Sequence, residues 1–454
     1  MQSLTQTIPT ELVSKIFVHC LDTESNFITP DPCHAPLLLT QVCASWRECA
    51  VNTTELWCSL RVRIPYRADC DDSSESSDSS DSSNPRAQRA VAHLQSWLSR
   101  AGEQPLALSL FFDASYTSEL DNCVPVLRSF ISQCRILSLE EGYGWLSPLL
   151  SGLHCPMLES LELVHVQQYK PLDSPLRTPS LQRLSLSGSI EWTIDSIRFP
   201  RSQLRELHWC DYSSMREILH ILPQYTSLTK CRVTLAEATP DQGLASELPL
   251  LRALEIDALP ERDGRKFDDF LGLFIVPSLQ ELRLVPVNID VGYPFYLPSA
   301  AALTRFLVRS DCRLTELWIE LWMSFARDVE QFRELLLAMP HLERLHIDGV
   351  NDDFCGKKTG FSDICDYLTY APTGRSRQAL LPQLTDLEIG RVRDHHETAL
   401  ERMLRSRMRA TGAAEDGKVY LGRFRIVVFH ITGGAGRRME WTGPKDGEIL
   451  KTIL

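Results

Sequence analysis

Four stretches of this sequence come close to residue patterns that do chemistry. Gly356-Lys357-Lys358-Thr359 carries the glycine and lysine of a phosphate-binding loop. Such a loop also needs a glycine five residues upstream and Ser or Thr directly after the lysine, since backbone amides cradle the phosphate and the hydroxyl holds magnesium. Asn351 and Lys358 stand there instead, so the phosphate reading fails. Gly433-Gly434-Ala435-Gly436 lacks a strand-to-helix context and reads more simply as a turn. His395-His396 has no acidic or cysteine partner at metal-ligand spacing, and Cys20 with Cys33-His34 offers three ligands at most. No GxSxG or HExxH occurs, and nothing assembles a nucleophile with its base. We expect no catalytic residue, no metal ligand and no cofactor, and hence no enzyme.

The elements that would position any binding residue are set by a repeat. Leu158, Leu161 and Leu163 occupy relative positions 0, 3 and 5, and the same spacing returns at Leu181, Leu184 and Leu186. It continues at Leu204, Leu207 and Trp209, then Leu228, Cys231 and Val233, then Leu251, Leu254 and Ile256. Leu279, Leu314, Leu342 and Leu384 open further copies, with weaker ones at Pro105, Cys134 and Leu421. First positions are 23 residues apart from 158 to 181 and from 181 to 204, but 35 apart from 279 to 314 and 42 from 342 to 384. Positions 3 and 5 share one face of a strand. One such strand cannot bury its face alone, so neighbours must stack. Helical spacing between strands, as at Val329, Phe332, Leu335, Leu336 and Met339 ahead of Pro340, implies parallel strands with right-handed crossovers.

This pattern resembles the leucine-rich-repeat family over about residues 105–430. The resemblance implies an α/β solenoid, with parallel strands on the concave face and helices on the convex face. The family carries Asn or Cys eight residues after the first leucine, where the side chain bonds loop backbone. Here that place holds Val166, Ser189, Tyr212, Leu259, Val287, Trp322, Val350 and Val392, so the turns must satisfy their backbone groups another way. Relative positions 2 and 4 point away from the leucines, toward a target protein. The candidates there are Arg183, His208, Arg232, Arg283, Trp318, Arg344 and His346, alongside the acids Glu255, Glu281, Glu316, Asp386 and Glu388. Trp318 stands out, because exposed tryptophan is enriched at interaction hot spots.

Composition narrows the partners. A chain of 454 residues with 43% hydrophobic and 23% charged content is an ordinary globular protein with room for several domains. Its formal charge of −12 argues against a duplex nucleic-acid partner. No apolar run reaches membrane-spanning length and the first residues lack a signal-peptide pattern, so we expect neither membrane nor secretion. Fourteen cysteines without a CxxC pair suit a reducing cytoplasm or nucleus.

The first 60 residues fall outside the repeat. Pro9 stands at a helix start, with Leu12, Ile16, Phe17 and Leu21 on one helical face. A second helix carries Leu39, Val42, Cys43, Trp46 and Ala50, followed by Glu55-Leu56-Trp57. Ile8-Pro9-x-Glu11-Leu12, Ile16-Phe17 and Gln41-Val42-Cys43-x-x-Trp46-Arg47 together resemble an F-box, with a longer loop between its first two helices. That resemblance implies a Skp-family adaptor, and through it a cullin, bound by Pro9, Leu12, Ile16, Val42, Cys43 and Trp46. The chain would then be the non-catalytic substrate receptor of a ubiquitin ligase, with an unknown target protein. The other reading is an interaction scaffold whose F-box-like helices only cap the solenoid.

The expected organisation is an all-α F-box-like domain over 1–62, an acidic segment over 63–88, the solenoid over 89–432 and a C-terminal cap over 433–454. Asp69 to Asn84 holds six acids and no base, supplying half of the net charge, and reads as disordered and open to phosphorylation. A helix should resume over Gln88–Leu98 and another run over Thr398–Met408, its Arg405 and Arg407 complementing the helix dipole. A hairpin should close the array around Gly433.

Overall fold

The computed structural model describes residues 8–22, 25–64, 85–112, 121–141, 144–164, 172–188, 196–210, 218, 220–235, 246–258, 265–286, 299–320, 329–348, 360–369, 380–392, 397–412, 425–432 and 435–442. The acidic tract and the Gly356 motif lie outside them. The chain forms two units, Met1–Asp211 and Tyr212–Leu454. The first contains α1 (Thr10–His19), α2 (Leu39–Val42), α3 (Ala44–Asn52), β1 (Ser59–Ile64), α4 (Pro85–Leu98), β2 (Leu106–Phe112), α5 (Val124–Ile131) and β3 (Cys134–Glu141). It continues with α6 (Leu146–Leu150), β4 (Ser160–Val164), β5 (Leu176–Arg177), β6 (Arg183–Ser187), β7 (Ile197–Arg198) and β8 (Glu206–Cys210). The second holds β9 (Lys230–Leu235), β10 (Ser246–Glu247), β11 (Ala253–Ala258), α7 (Arg265–Gly272), β12 (Phe274–Ile275), β13 (Glu281–Pro286), α8 (Ala300–Ser310) and β14 (Glu316–Glu320). It ends with α9 (Val329–Leu337), β15 (Arg344–Asp348), α10 (Gly360–Leu368), β16 (Asp386–Val392), α11 (Glu397–Gly412), β17 (Arg425–Thr432) and β18 (Ala435–Thr442).

In the first unit β1, β2, β3, β4, β6 and β8 pair in parallel in that order. In the second, β9, β11, β13, β14, β15, β16 and β17 do likewise, and β18 turns back antiparallel on β17 as the expected hairpin. Register aligns the repeat: Leu108, Leu137, Leu161, Leu184 and Leu207 form one row, and Leu254, Leu282, Leu317, Leu345 and Leu387 another. All ten are buried. Each contributes roughly 1.5–3 kcal/mol of transfer free energy.

The turns solve their backbone problem without an asparagine ladder. Position 0 donates its N–H to the carbonyl three residues back at Leu158, Leu181, Leu251, Leu279, Leu342 and Leu384. In these turns Pro156, Pro179, Pro249, Pro277, Pro340 and Pro382 occupy the second place, where a fixed φ suits the turn. The proline carbonyl then accepts from a side chain one repeat further on. Ser180 Oγ donates to Pro156 O, Gln203 Nε2 to Pro179 O and Ser278 Oγ to Pro249 O, each at 2.6 Å.

Repeat length decides what covers the back of the leucine layer. Steps of 23 residues, from 158 to 181, 181 to 204 and 228 to 251, leave room for two-residue strands. There β5 pairs with β7, and β10 with β12 of the following repeat. The longer steps accommodate the true helices α7 to α10. Among the described residues, the short repeats show these two-residue strands where helices were expected. Where helices do occur, arginines seal their C-termini. Arg128 on α5 donates to the carbonyls of Pro148, Leu149 and Ser151, and Arg309 on α8 to those of Leu271 and Phe274. Arg407, expected to serve its own helix dipole, is instead buried and donates to Leu368, Leu380 and Leu381 of the preceding repeat.

The N-terminal helices join this scaffold directly. The segment expected to be all-helical ends in β1, which pairs with β2 as the first strand of the sheet. Trp57 is buried, donates Nε1–H to Ala50 O at 2.9 Å, and meets Trp97 edge-on at 4.8 Å with Arg100 over its ring at 4.4 Å. The long loop before α2 also has a structural task. Arg61 N donates to Ile28 O at 2.7 Å, and Ser59 Oγ bonds Asn26 O and Ile28 N, so loop backbone covers β1's outer edge. Replacing Trp57 by Ala should cost about 3–5 kcal/mol, readable in denaturant unfolding of the full chain. An unchanged midpoint would mean the helices are not welded to the first unit.

Candidate functional site

Ile8, just ahead of α1, and Leu12 and Ile16 on it fall four residues apart, while Phe17 turns to the other face. The sequence placed Leu12, Ile16 and Phe17 on a single face; the structure divides them. Phe17 is buried against Trp46, ring centroids 5.0 Å apart, whereas Leu12 and Ile16 are each 51% exposed. The second helix is likewise two. Cys43 is extended at φ −159° and ψ 171°, which ends α2 and starts α3. That break leaves Val42 54% exposed, with Pro9, Leu38 and Cys43 exposed and Trp46 half-buried. Leu39, Cys49, Ala50 and Leu56 hold the inner side. Apolar side chains standing together in water mark an interaction surface more often than chance. In the loop ahead of α2, the Cys33 N–H and then His34 hold the Asp31 carboxyl below the usual carboxylate range.

The second candidate surface is the outward strand face. In the second unit, Arg232, Glu255, Arg283, Trp318, His346 and Glu388 stand side by side in register. Trp318 lies between two neighbours in this row. His346 stacks on it at 3.5 Å and 22°, and the Arg283 guanidinium carbon sits 5.3 Å from its ring centre. His346 Nδ1 is 3.2 Å from Glu388 Oε2, and His346 is buried although it points outward. Glu316, also buried, holds Arg283 at 2.9 Å and Arg344 at 2.6 Å. Arg232 donates Nε–H to Asp257 at 2.8 Å, with Glu255 at 3.6 Å. Four expected target residues, Arg283, Trp318, Arg344 and His346, thus form one paired cluster, with Arg232 two strands away. Of their partners, the sequence reading missed Asp257, whose place at relative position 6 continues the outward parity. Arg183, exposed, and His208, half-buried, belong to the outward face of the first unit.

Burial silences most thiols. It pushes Cys155 and Cys365 up to about 12 and Cys58 to about 11, and holds Cys134 well above the usual thiol range. Among the described residues no group of three or more His, Cys, Asp or Glu could hold a metal ion, and no helix is long and apolar enough to cross a membrane.

No protein-family model matches the chain, and no curated protein matches it. Among solved structures it is similar to a chain of the TLR13–ssRNA13 complex, at 18% identity over 63% of this chain and 35% of that one, TM-score 0.35. It is also similar to a Bacteroides fragilis protein (12% identity, 65% of this chain, 63% of that chain, TM-score 0.27) and to an internalin from Listeria monocytogenes (14%, 68%, 81%, 0.27). The chain therefore spans about a third of the TLR13 chain and under two thirds of the Bacteroides protein. The aligned leucine rows and parallel register define a leucine-rich-repeat architecture. This chain adds to the array a helical module built onto β1, with an apolar face left outside.

Thiol labelling tests this burial map. With Ellman's reagent at pH 8, exposed Cys20, Cys33 and Cys43 should react at once, while Cys134, Cys155 and Cys365 should stay silent until the chain unfolds. Peptide mapping of the adducts reads the result, and native labelling of Cys155 would contradict it.

Proposed function

We propose that this chain is the non-catalytic substrate receptor of a Skp–cullin–F-box ubiquitin ligase. The observation that carries the reading is the split of the N-terminal helices. Phe17, Leu39, Leu56 and Trp57 are buried, while Leu12, Ile16 and Val42, which the F-box resemblance assigns to the adaptor, face water, as does Ile8. Pro9, Cys43 and the half-buried Trp46 border that patch. The adaptor would bind there, a cullin would follow through the adaptor, and the outward strand faces would hold the target protein. The receptor then contributes proximity, raising the effective concentration of a target lysine near activated ubiquitin. The experiment is retention of a Skp-family adaptor by the full chain. Leu12→Asp and Val42→Asp lie at the surface, so each should change stability by no more than about 0.5 kcal/mol yet abolish adaptor retention. Adaptor retention by the double variant, or none by the parent chain, removes the reading.

A second reading has its own support. The tight packing of Trp57 on Trp97 and the pairing of β1 with β2 suit a cap on a repeat-based interaction scaffold. If capping is the sole role, Leu12→Asp and Val42→Asp should leave every bound partner in place, as compared by affinity capture and mass spectrometry.

A further inference from the structure

Behind the leucine rows of the first unit, three basic side chains stand in line. His154 bridges to Arg177 in parallel register, and Arg177 pairs with Arg198 where β5 meets β7. Leu176 and Ile197 beside them are buried, so alternation along the strand turns both arginines outward. His154, Arg177 and Arg198 are all exposed. Among the described residues none of the three side chains has a hydrogen bond, an ion pair or a ring contact. Asp173, four residues ahead of Arg177, instead accepts from Ser147 Oγ at 3.0 Å. Like charges directly opposite one another on neighbouring strands destabilise a sheet. Arg177 and Arg198 are such a pair, and a bound carboxylate would relieve it.

The repeat itself does not call for a base here. Each of the three stands two residues before a turn proline, Pro156, Pro179 or Pro200. In the second unit that place holds Glu247, Ile275, Ala338 and Leu380, ahead of Pro249, Pro277, Pro340 and Pro382. The three prolines beside the basic row are exposed, and Met157 is 38% exposed, so an apolar strip runs along the charges. Two strand spacings separate His154 from Arg198, about 10 Å, which about three extended residues would span.

Two other occupants fit less well. A formal charge of −12 repels a long polyanion at a distance, and nucleic-acid binding draws its strength from many phosphate contacts. The chain's own acidic tract lies between Ile64, where β1 ends, and Pro85, where α4 begins. The parallel strands of this unit end on the side opposite the turns that lead into them, and the basic row lies at those turns.

We propose that His154, Arg177 and Arg198 bind a short acidic segment of a partner protein. Its carboxylates lie over the three bases, and an apolar side chain rests against Met157 and the prolines. This surface is on the other side of the sheet from the outward strand face and is separate from the helical patch, so it serves a partner with or without a ligase.

The probe is a fluorescein-labelled peptide carrying one short run of Asp and Glu beside a Leu, titrated with full-length protein at low ionic strength and read by anisotropy. Its control has Asn and Gln in place of the acids. The acidic peptide should bind and the control should not. Arg177→Glu with Arg198→Glu should weaken the acidic peptide at least about tenfold. Glu247 occupies the same repeat position in the second unit, so the fold accepts glutamate there, and unchanged thermal unfolding verifies it. Arg198→Glu alone should weaken binding clearly, whereas Arg183→Glu, an equal change of charge on the outward strand face, should alter it by less than about twofold. Equal losses from these two single variants would reveal a diffuse field in place of a site and overturn the inference, as would a parent chain that ignores the acidic peptide. A single-stranded RNA oligonucleotide that binds more tightly than the peptide, and is lost in the double variant, would overturn the protein partner. Peptide binding seen only after removal of residues 69–83 would put the chain's own acidic tract on the row and overturn an external occupant. Adaptor retention is a separate measurement, and its failure would leave these outcomes unchanged.

Discussion

The strands that begin after Leu158, Leu181, Leu251, Leu279, Leu342 and Leu384 are each preceded by a proline turn, and satisfying the backbone groups of these turns is the constraint on which the array depends. Buried backbone groups must find partners. The chain meets the need twice over. The position-0 N–H closes the turn locally, and a serine or glutamine of the next repeat bonds the proline carbonyl. The second bond crosses between repeats, so it also sets how one repeat sits on the next. Arginines on neighbouring helices do the same at the back, where α6, α7 and α10 end. Stacking is thus specified by polar contacts at both ends of a leucine layer that is itself indifferent to small slips.

Once the leucine rows are fixed, the outward rows can vary without touching the fold, and the two units use that freedom differently. The second unit spends long side chains on one another: Glu316 alone holds two arginines, and Trp318 is covered by Arg283 and His346. A tryptophan held on both sides presents less of its ring to a partner than its outward parity suggested. The first unit leaves serines where those side chains would stand. Net charge or residue type alone does not separate the two faces; lateral register does, because it determines which side chains become neighbours.

Much of this architecture was legible in the sequence because period and parity are properties of the backbone. Leucines at 0, 3 and 5 name the strands, and every one of those positions from Leu158 to Ile256 is buried. The pairing of outward residues was less legible. Arg232 and Asp257 lie 25 residues apart and meet only because β9 and β11 align Thr234 with Asp257. The broken helix at Cys43 was hidden as well, since Val42 and Trp46 keep a spacing of four across the interruption. Back-face structure follows repeat length, a quantity visible in the sequence: among the described residues, two-residue strands stand in the 23-residue steps and helices in the longer ones.

The N-terminal helices show how one small module can serve two masters. Some sixty residues bury too little surface to be firmly stable alone. Here the deficit is offset by packing Trp57 against Trp97 and contributing β1 to the repeat sheet. Because α1 and α3 are anchored from that side, Leu12, Ile16 and Val42 need not help the module fold, and they stand in water in a fixed arrangement. Capping and the proposed docking would therefore use different side chains. The long loop extends this logic: Asn26 to Ile28 bond β1 at Ser59 and Arg61 and cover part of its outer edge. An apolar patch held rigid on a blunted end can await a chosen partner without inviting indiscriminate pairing.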